Sequence, residues 1–140
     1  MDRRLLIQSA AAALAAPAAP AKIRTAFLGT GHSHFHGKFR AVHDSPHYEI
    51  AGIVEPDAAA RKALEKSPQY AAMPLRWLEQ SAMLADPSIH LVVVECRVWE
   101  ALALGRKVID AGKHLHLEKP TGNEWAPFKQ LVEDARRKNL

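Results

Sequence analysis

The sequence predicts an α/β fold: a doubly wound parallel sheet in one domain, behind an N-terminal signal segment. Three observations carry this. A short apolar run, Ile23 to Leu28, ends in Gly29-Thr30-Gly31 and passes into a helical pattern. Strand-like runs then alternate with stretches of helical spacing to the end of the chain. The strongest run, Ile89-His-Leu-Val-Val-Val-Glu95, is continuously apolar at its centre, as a strand buried on both faces of a parallel sheet requires.

Taken in order, Lys22 to Leu28 is the first strand. Phe35 to Asp44 follows as a helix, with Phe35, Phe39 and Val42 on one side, and Ser45-Pro46 ends it. Tyr48 to Val54 is the second strand, closing at Glu55-Pro56-Asp57. Asp57 is placed to cap a helix over Ala58 to Lys66. Ser67 to Pro74 is a loop, Leu75-Arg76 a very short strand, and Trp77 to Ala85 a short helix. After the Asp86-Pro87-Ser88 turn comes the strong strand Ile89 to Glu95, then a helix over Trp99 to Ala111 with Gly112 as its stop. His114 to Leu117 is a strand, Glu118 to Gly122 a loop, and Trp125 to Lys138 the last helix.

Composition narrows the function classes. The chain has 140 residues, enough for one domain, and 48% of them are apolar, which is sufficient for a core. The formal charge is +4, but Arg61-Lys62, Arg106-Lys107 and Arg136-Arg137-Lys138 are small clusters on separate helices. That is the pattern of solvated faces rather than of a nucleic-acid footprint, so no nucleic-acid partner is predicted. Cys96 is the sole cysteine, so no internal disulfide forms. No apolar run reaches the ~18–20 residues of a membrane-spanning helix.

Residues 1–21 read as an export signal. Arg3-Arg4-Leu5-Leu6-Ile7 precedes an alanine-rich stretch and an Ala-x-Ala exit at Ala19-Pro20-Ala21. The paired arginines are of the twin-arginine type, a route that carries folded proteins. A protein loaded with its nucleotide in the cytoplasm and delivered to the periplasm needs that route. The dinucleotide-binding domain is then residues 22–140.

The candidate site gathers at the ends of the strands. Gly29 and Gly31 allow a tight turn and close approach of a pyrophosphate, and the helix behind them presents its N-terminus to phosphates. Thr30, His32, Ser33 and His34 line this loop. His34 stands where the third glycine of a GxGxxG fingerprint belongs. Three histidines, His32, His34 and His36, raise the question of a metal, but their spacing does not aim three rings at one point, so none is predicted. Glu55 lies about 24 residues beyond Gly31, near the ~20-residue spacing of the acid that accepts the adenosine ribose hydroxyls. Its carboxylate would repel a 2′-phosphate, which favours NAD over NADP. Arg61, one turn beyond Asp57, is placed to stack on adenine or to stand in solvent. Glu95, Cys96 and Arg97 end the strong strand and face the nucleotide. Cys96 has no signposted base and reads as a structural thiol. Glu118 and Lys119 end the next strand, where a lysine can orient a substrate hydroxyl or move its proton.

These residues resemble the N-terminal domain of the Gfo/Idh/MocA family of glucose–fructose oxidoreductases and inositol dehydrogenases. The resemblance runs from Ile23 to about Leu140. Its most specific part is Ala111-Gly-Lys-His-Leu-His-Leu-Glu-Lys-Pro120, similar to the family's AGKHVxxEKP run. Phe27-Leu-Gly-Thr-Gly-His32, Ile53-Val-Glu-Pro-Asp57 and Ala85-Asp-Pro87 match in order. The resemblance implies a nicotinamide dinucleotide, hydride transfer with a sugar, cyclitol or related alcohol, and a role for Lys119 beside the reacting carbon. Arg97-Val-Trp-Glu-Ala101 departs from the family's Asn-x-x-His segment. The family continues into a second domain that supplies the substrate pocket, a catalytic histidine and usually an oligomer interface. With one helix after Glu118-Lys119-Pro120, the expectation is a fragment of such an oxidoreductase. The alternative is a non-catalytic nucleotide-binding or interaction module, free to form homo-oligomers.

Overall fold

The computed structural model describes residues 21–140; the export signal expected over residues 1–21 lies, but for Ala21, outside the described residues. Four strands form one sheet: β1 (Ile23–Leu28), β2 (Tyr48–Val54), β3 (Leu91–Val94) and β4 (His114–Leu117). Their spatial order is β2-β1-β3-β4 and every pairing is parallel. The helices are α1 (Phe35–Asp44), α2 (Ala58–Lys66), α3 (Gln80–Ala85), α4 (Ala101–Asp110) and α5 (Trp125–Arg137).

Strand alternation sorts the core into two layers. Ala26, Leu28, Val92 and Val94 face one way and pack with Met83, Ala101 and Val108 from α3 and α4. Phe27, Ile53 and Val93 face the other way and pack with Phe35, Phe39, Leu64 and Tyr70. The sheet is therefore covered on both sides, the reason its central strands read as unbroken apolar runs.

Local chemistry sets the ends of the elements. Asp57 caps α2 by accepting a hydrogen bond from the Ala59 amide at 2.8 Å. Gly112, with φ +71°, stops α4, and its amide returns to the Ile109 carbonyl at 3.1 Å. Next to it, Lys113 is buried and its Nζ donates to the carbonyls of Asp86 and Ile89 at 2.6 and 3.0 Å. Burial pulls its pKa below the usual lysine value. Lys113 thus ties the start of β4 to the turn before β3.

Five expected elements come out differently. The helix expected over Trp77 to Ala85 begins only at Gln80. Trp77 instead forms a parallel bridge with Ile53, through Ile53 N to Arg76 O and Leu78 N to Ile53 O, both 2.8 Å. Those backbone groups are committed to the sheet edge, so the helix cannot start there, and the bridge stands in place of the short strand expected at Leu75-Arg76. The strand expected over Ile89 to Glu95 is regular only over Leu91–Val94. The helix expected from Trp99 opens with a 3-10 turn, Val98–Glu100, in which the Arg97 amide donates to Glu100 Oε2 at 3.3 Å. Ser67 to Pro74, expected as a loop, contains a 3-10 turn over Pro68–Tyr70.

Candidate functional site

The strand order reverses between β1 and β3. Their connecting segments leave toward opposite sides there, and a crevice opens beyond the carboxyl ends. Gly29 lies at its base with φ +84°. A Cβ on Gly29 would stand 3.1 Å from the Glu95 carbonyl oxygen and 3.3 Å from Cys96 Cα. A Cβ on Gly31 would meet nothing nearer than Arg97 Cγ at 3.9 Å. One glycine is thus demanded by the fold, and the other leaves open backbone facing the cleft. The residue before α1, His34, makes no side-chain capping bond, which leaves the helix start available to an anion.

Glu55 closes the mouth of this cleft. It is buried, and its Oε2 accepts from the Thr30 amide at 2.9 Å and the Thr30 hydroxyl at 2.7 Å. Its Oε1 accepts from the Asp57 amide at 3.0 Å. The carboxylate at the end of β2 therefore grips the loop after β1. The cleft has a volume of about 590 Å³, and Gly29, Thr30, Gly31, Glu55, Cys96 and Arg97 line it. Ser33 is exposed on the turn into α1. Arg61, expected to stack on adenine or to stand in solvent, is half-buried beside Glu55. Its Nε donates to the Glu55 carbonyl, and its guanidinium lies 5.8 Å from the Trp77 ring centroid. The Arg97 guanidinium likewise lies 5.6 Å from the Trp99 ring centroid.

Burial, with Glu100 adding to it, pushes the Cys96 thiol up to about 11. Its thiolate is scarce at neutral pH, and only the thiolate is nucleophilic. Alkylation of Cys96 by iodoacetamide at pH 8 is expected on the order of a hundredfold slower than that of a free cysteine. A rate equal to the free thiol's would contradict this burial.

A second cluster lies beside the cleft at the ends of β3 and β4. Glu95 is fully buried (0% exposed) and Glu118 nearly so (8%). Lys38 reaches in from α1. Its Nζ donates to Glu95 Oε1 at 2.6 Å and forms an ion pair with Glu118 Oε2. His32 Nδ1 lies 3.6 Å from Glu95 Oε2, and His34 Nδ1 lies 3.2 Å from Glu118 Oε1. His36 turns away to the Tyr70 hydroxyl. Lys119 extends outward with its side chain 78% exposed and its Nζ 3.9 Å from Glu118 Oε1. The Lys119–Pro120 peptide is cis. His116, beside Lys38, has its pKa lowered by burial first and by that ammonium second.

The expected site residues therefore fall into two groups. Gly29, Thr30, Gly31, Glu55, Cys96 and Arg97 shape the cleft. His32, His34, Glu95, Glu118 and Lys119 gather next to it, while Ser33 and Arg61 join neither. Lys38 and His116 are additions that sequence reasoning missed. The signal for Lys38 was its i, i+4 spacing from His34, which puts both on one helical face.

Comparison with known proteins agrees with this geometry. Residues 23–140 match the Gfo/Idh/MocA family, described as an oxidoreductase family with an NAD-binding Rossmann fold. An uncharacterized oxidoreductase of Schizosaccharomyces pombe is 34% identical over 121 residues, covering 84% of this chain and 32% of that protein. The chain thus spans about a third of that curated relative. Biliverdin reductase from Synechocystis, solved with biliverdin and NADP+, superposes with a TM-score of 0.71 at 22% identity, over 84% of this chain and 35% of that one. UDP-N-acetylglucosamine 3-dehydrogenase from Acidithiobacillus ferrooxidans gives 0.67 at 23% identity, over 86% and 37%. At those identities the likeness speaks for the fold. With a parallel four-stranded sheet, a glycine loop at its switch point and a family match over residues 23–140, this chain belongs to the Gfo/Idh/MocA oxidoreductase family and carries its nicotinamide-dinucleotide-binding domain.

Proposed function

We propose that this domain binds NAD(H) in preference to NADP(H), and serves an exported oxidoreductase acting on the CH–OH group of a sugar, cyclitol or related alcohol. The observation that carries the NAD preference is the Glu55 carboxylate, held by Thr30 at the mouth of the cleft. A fixed negative charge there accepts ribose hydroxyls and repels a 2′-phosphate. The cleft suits the rest of the cofactor. Gly31 leaves the backbone open, and the start of α1 has no side-chain cap. Bound there, the nicotinamide dinucleotide supplies the hydride donor or acceptor. Lys119, exposed at the end of β4, would orient the substrate hydroxyl and hold its proton, with Glu118 behind it. The curated relative is about three times longer than this chain, which supports a separate segment as the holder of the substrate. The twin-arginine pattern at Arg3-Arg4 supports export of the protein with its nucleotide loaded.

Fluorescence titration of the full chain with NADH and NADPH tests the reading. NADH is expected to bind on the order of tenfold or more tighter, the worth of a charge-assisted hydrogen bond gained or a charge clash avoided. Glu55→Arg is expected to reverse the order, with circular dichroism to show that the loop survives. Equal, weak binding of the two nucleotides by the parent chain would sink the ribose assignment.

A further inference from the structure

We propose that His32, His34, Glu95 and Glu118 form a binding site for a divalent transition-metal ion of the zinc type. The four come from three segments: the loop after β1, the end of β3 and the end of β4. One donor atom from each of His32, His34 and Glu118 lies within 4.8 Å of the others, and Glu95, His116 and Glu118 make a second such group sharing the same carboxylate. A tetrahedral zinc site with bonds of about 2.0–2.1 Å has ligand–ligand edges of about 3.3–3.4 Å. Two edges are already near that length, His34 Nδ1 to Glu118 Oε1 at 3.2 Å and His32 Nδ1 to Glu95 Oε2 at 3.6 Å.

An independent observation points to a ligand. Glu95 is fully buried, yet its Oε2 has no hydrogen-bond partner. A buried carboxylate oxygen without a partner is costly, and a cation in front of it removes the cost. That oxygen faces His32. Its companion Oε1 is held by Lys38, and Lys38 also holds Oε2 of Glu118. Lys38 thus takes one oxygen of each carboxylate; the other oxygen of Glu95 faces His32, and that of Glu118 lies beside His34 while accepting from the Lys119 amide at 2.9 Å. A group that orients ligands from behind in this way is the usual support of a metal site. His32 Nδ1 also accepts from the His34 amide at 3.2 Å, a local contact that the ion would replace. Two imidazole nitrogens and two carboxylate oxygens select zinc or cobalt over calcium or magnesium.

The site does not rest on the nucleotide reading, and its test is run without nucleotide. Tag-free full chain is titrated with Co²⁺, read by the visible d–d bands, and then with Zn²⁺ in competition. One equivalent of Co²⁺ with the intense bands of four-coordination, displaced by Zn²⁺, is the expected result. His32→Asn and His34→Asn should each weaken binding on the order of a hundredfold. His43→Asn, at an exposed histidine paired with Asp44, should leave it unchanged. His34 is half-exposed and caps nothing, so its replacement should leave the circular dichroism unaltered. Absence of stoichiometric Co²⁺ binding, or binding that both variants retain, would overturn the proposal. An NADH titration of the same metal-free samples separates the two ideas, since nucleotide binding that persists without metal leaves the cofactor reading intact while the metal site fails.

Discussion

Lys38→Met is expected to lower the unfolding free energy by about 3–5 kcal/mol, the cost of leaving a buried ionic partner uncompensated. Lys38 is the ammonium between Glu95 and Glu118. Methionine keeps much of the stem's volume, so packing along α1 is largely preserved and the loss is electrostatic. Glu95 has no exposure to solvent; water cannot replace the lysine there, and added salt screens the pair poorly. Urea denaturation of parent and variant in parallel measures the difference. The double variant Lys38→Met/Glu95→Gln should recover a substantial part of it, because a neutral amide no longer carries the buried charge. The non-additivity of that cycle isolates the coupling. A loss under about 1 kcal/mol, the range of surface ion pairs, would mean that the lysine is only a solvated neighbour of the carboxylates.

Gly29→Val should cost about 3 kcal/mol, whereas Gly31→Ala should leave stability within about 0.5 kcal/mol of the parent. The two glycines look alike in the sequence, and the backbone separates them. Gly29 has φ +84°, a region closed to a β-branched side chain, and the added atoms would press on the Glu95 carbonyl and the Cys96 backbone. Gly31 has room for a methyl group. That methyl would sit where a pyrophosphate is expected to approach, so Gly31→Ala should weaken NADH binding with the fold intact. Thermal or urea melts give the first comparison and fluorescence titration the second. If Gly31→Ala destabilises the chain as much as Gly29→Val, the division of labour drawn between them is wrong.

Much of this fold was legible in the sequence because its signals are local. The helices Phe35–Asp44 and Ala58–Lys66 and the strands Tyr48–Val54 and His114–Leu117 have the bounds that periodicity and turn residues predict. Capping by Asp57 and the stop at Gly112 follow from chemistry within a few residues. The misses are long-range. Trp77 leaves its expected helix to bridge Ile53, and the Arg61 guanidinium comes to 5.8 Å from the Trp77 ring centroid. Neither partner lies within a helical turn of the residue it captures, so no local pattern announces it.

The site divides along the same line. Glycines at a strand end, an acid after the second strand and Glu118-Lys119-Pro120 after the fourth are sequence features, and the family follows from them. The sequence by itself determined the α/β order, the two-faced burial of the central strands and the dinucleotide-binding loop, because each is written in period and spacing. Only the tertiary structure decided that Glu55 reaches Thr30, and that Lys38 stands between Glu95 and Glu118. It also decided that two of three neighbouring histidines meet those carboxylates while His36 turns to Tyr70. The physical reason is that parallel strands align residues distant in sequence at one edge of the sheet. Which charges meet there depends on sheet order and register, and neither is a property of any single segment.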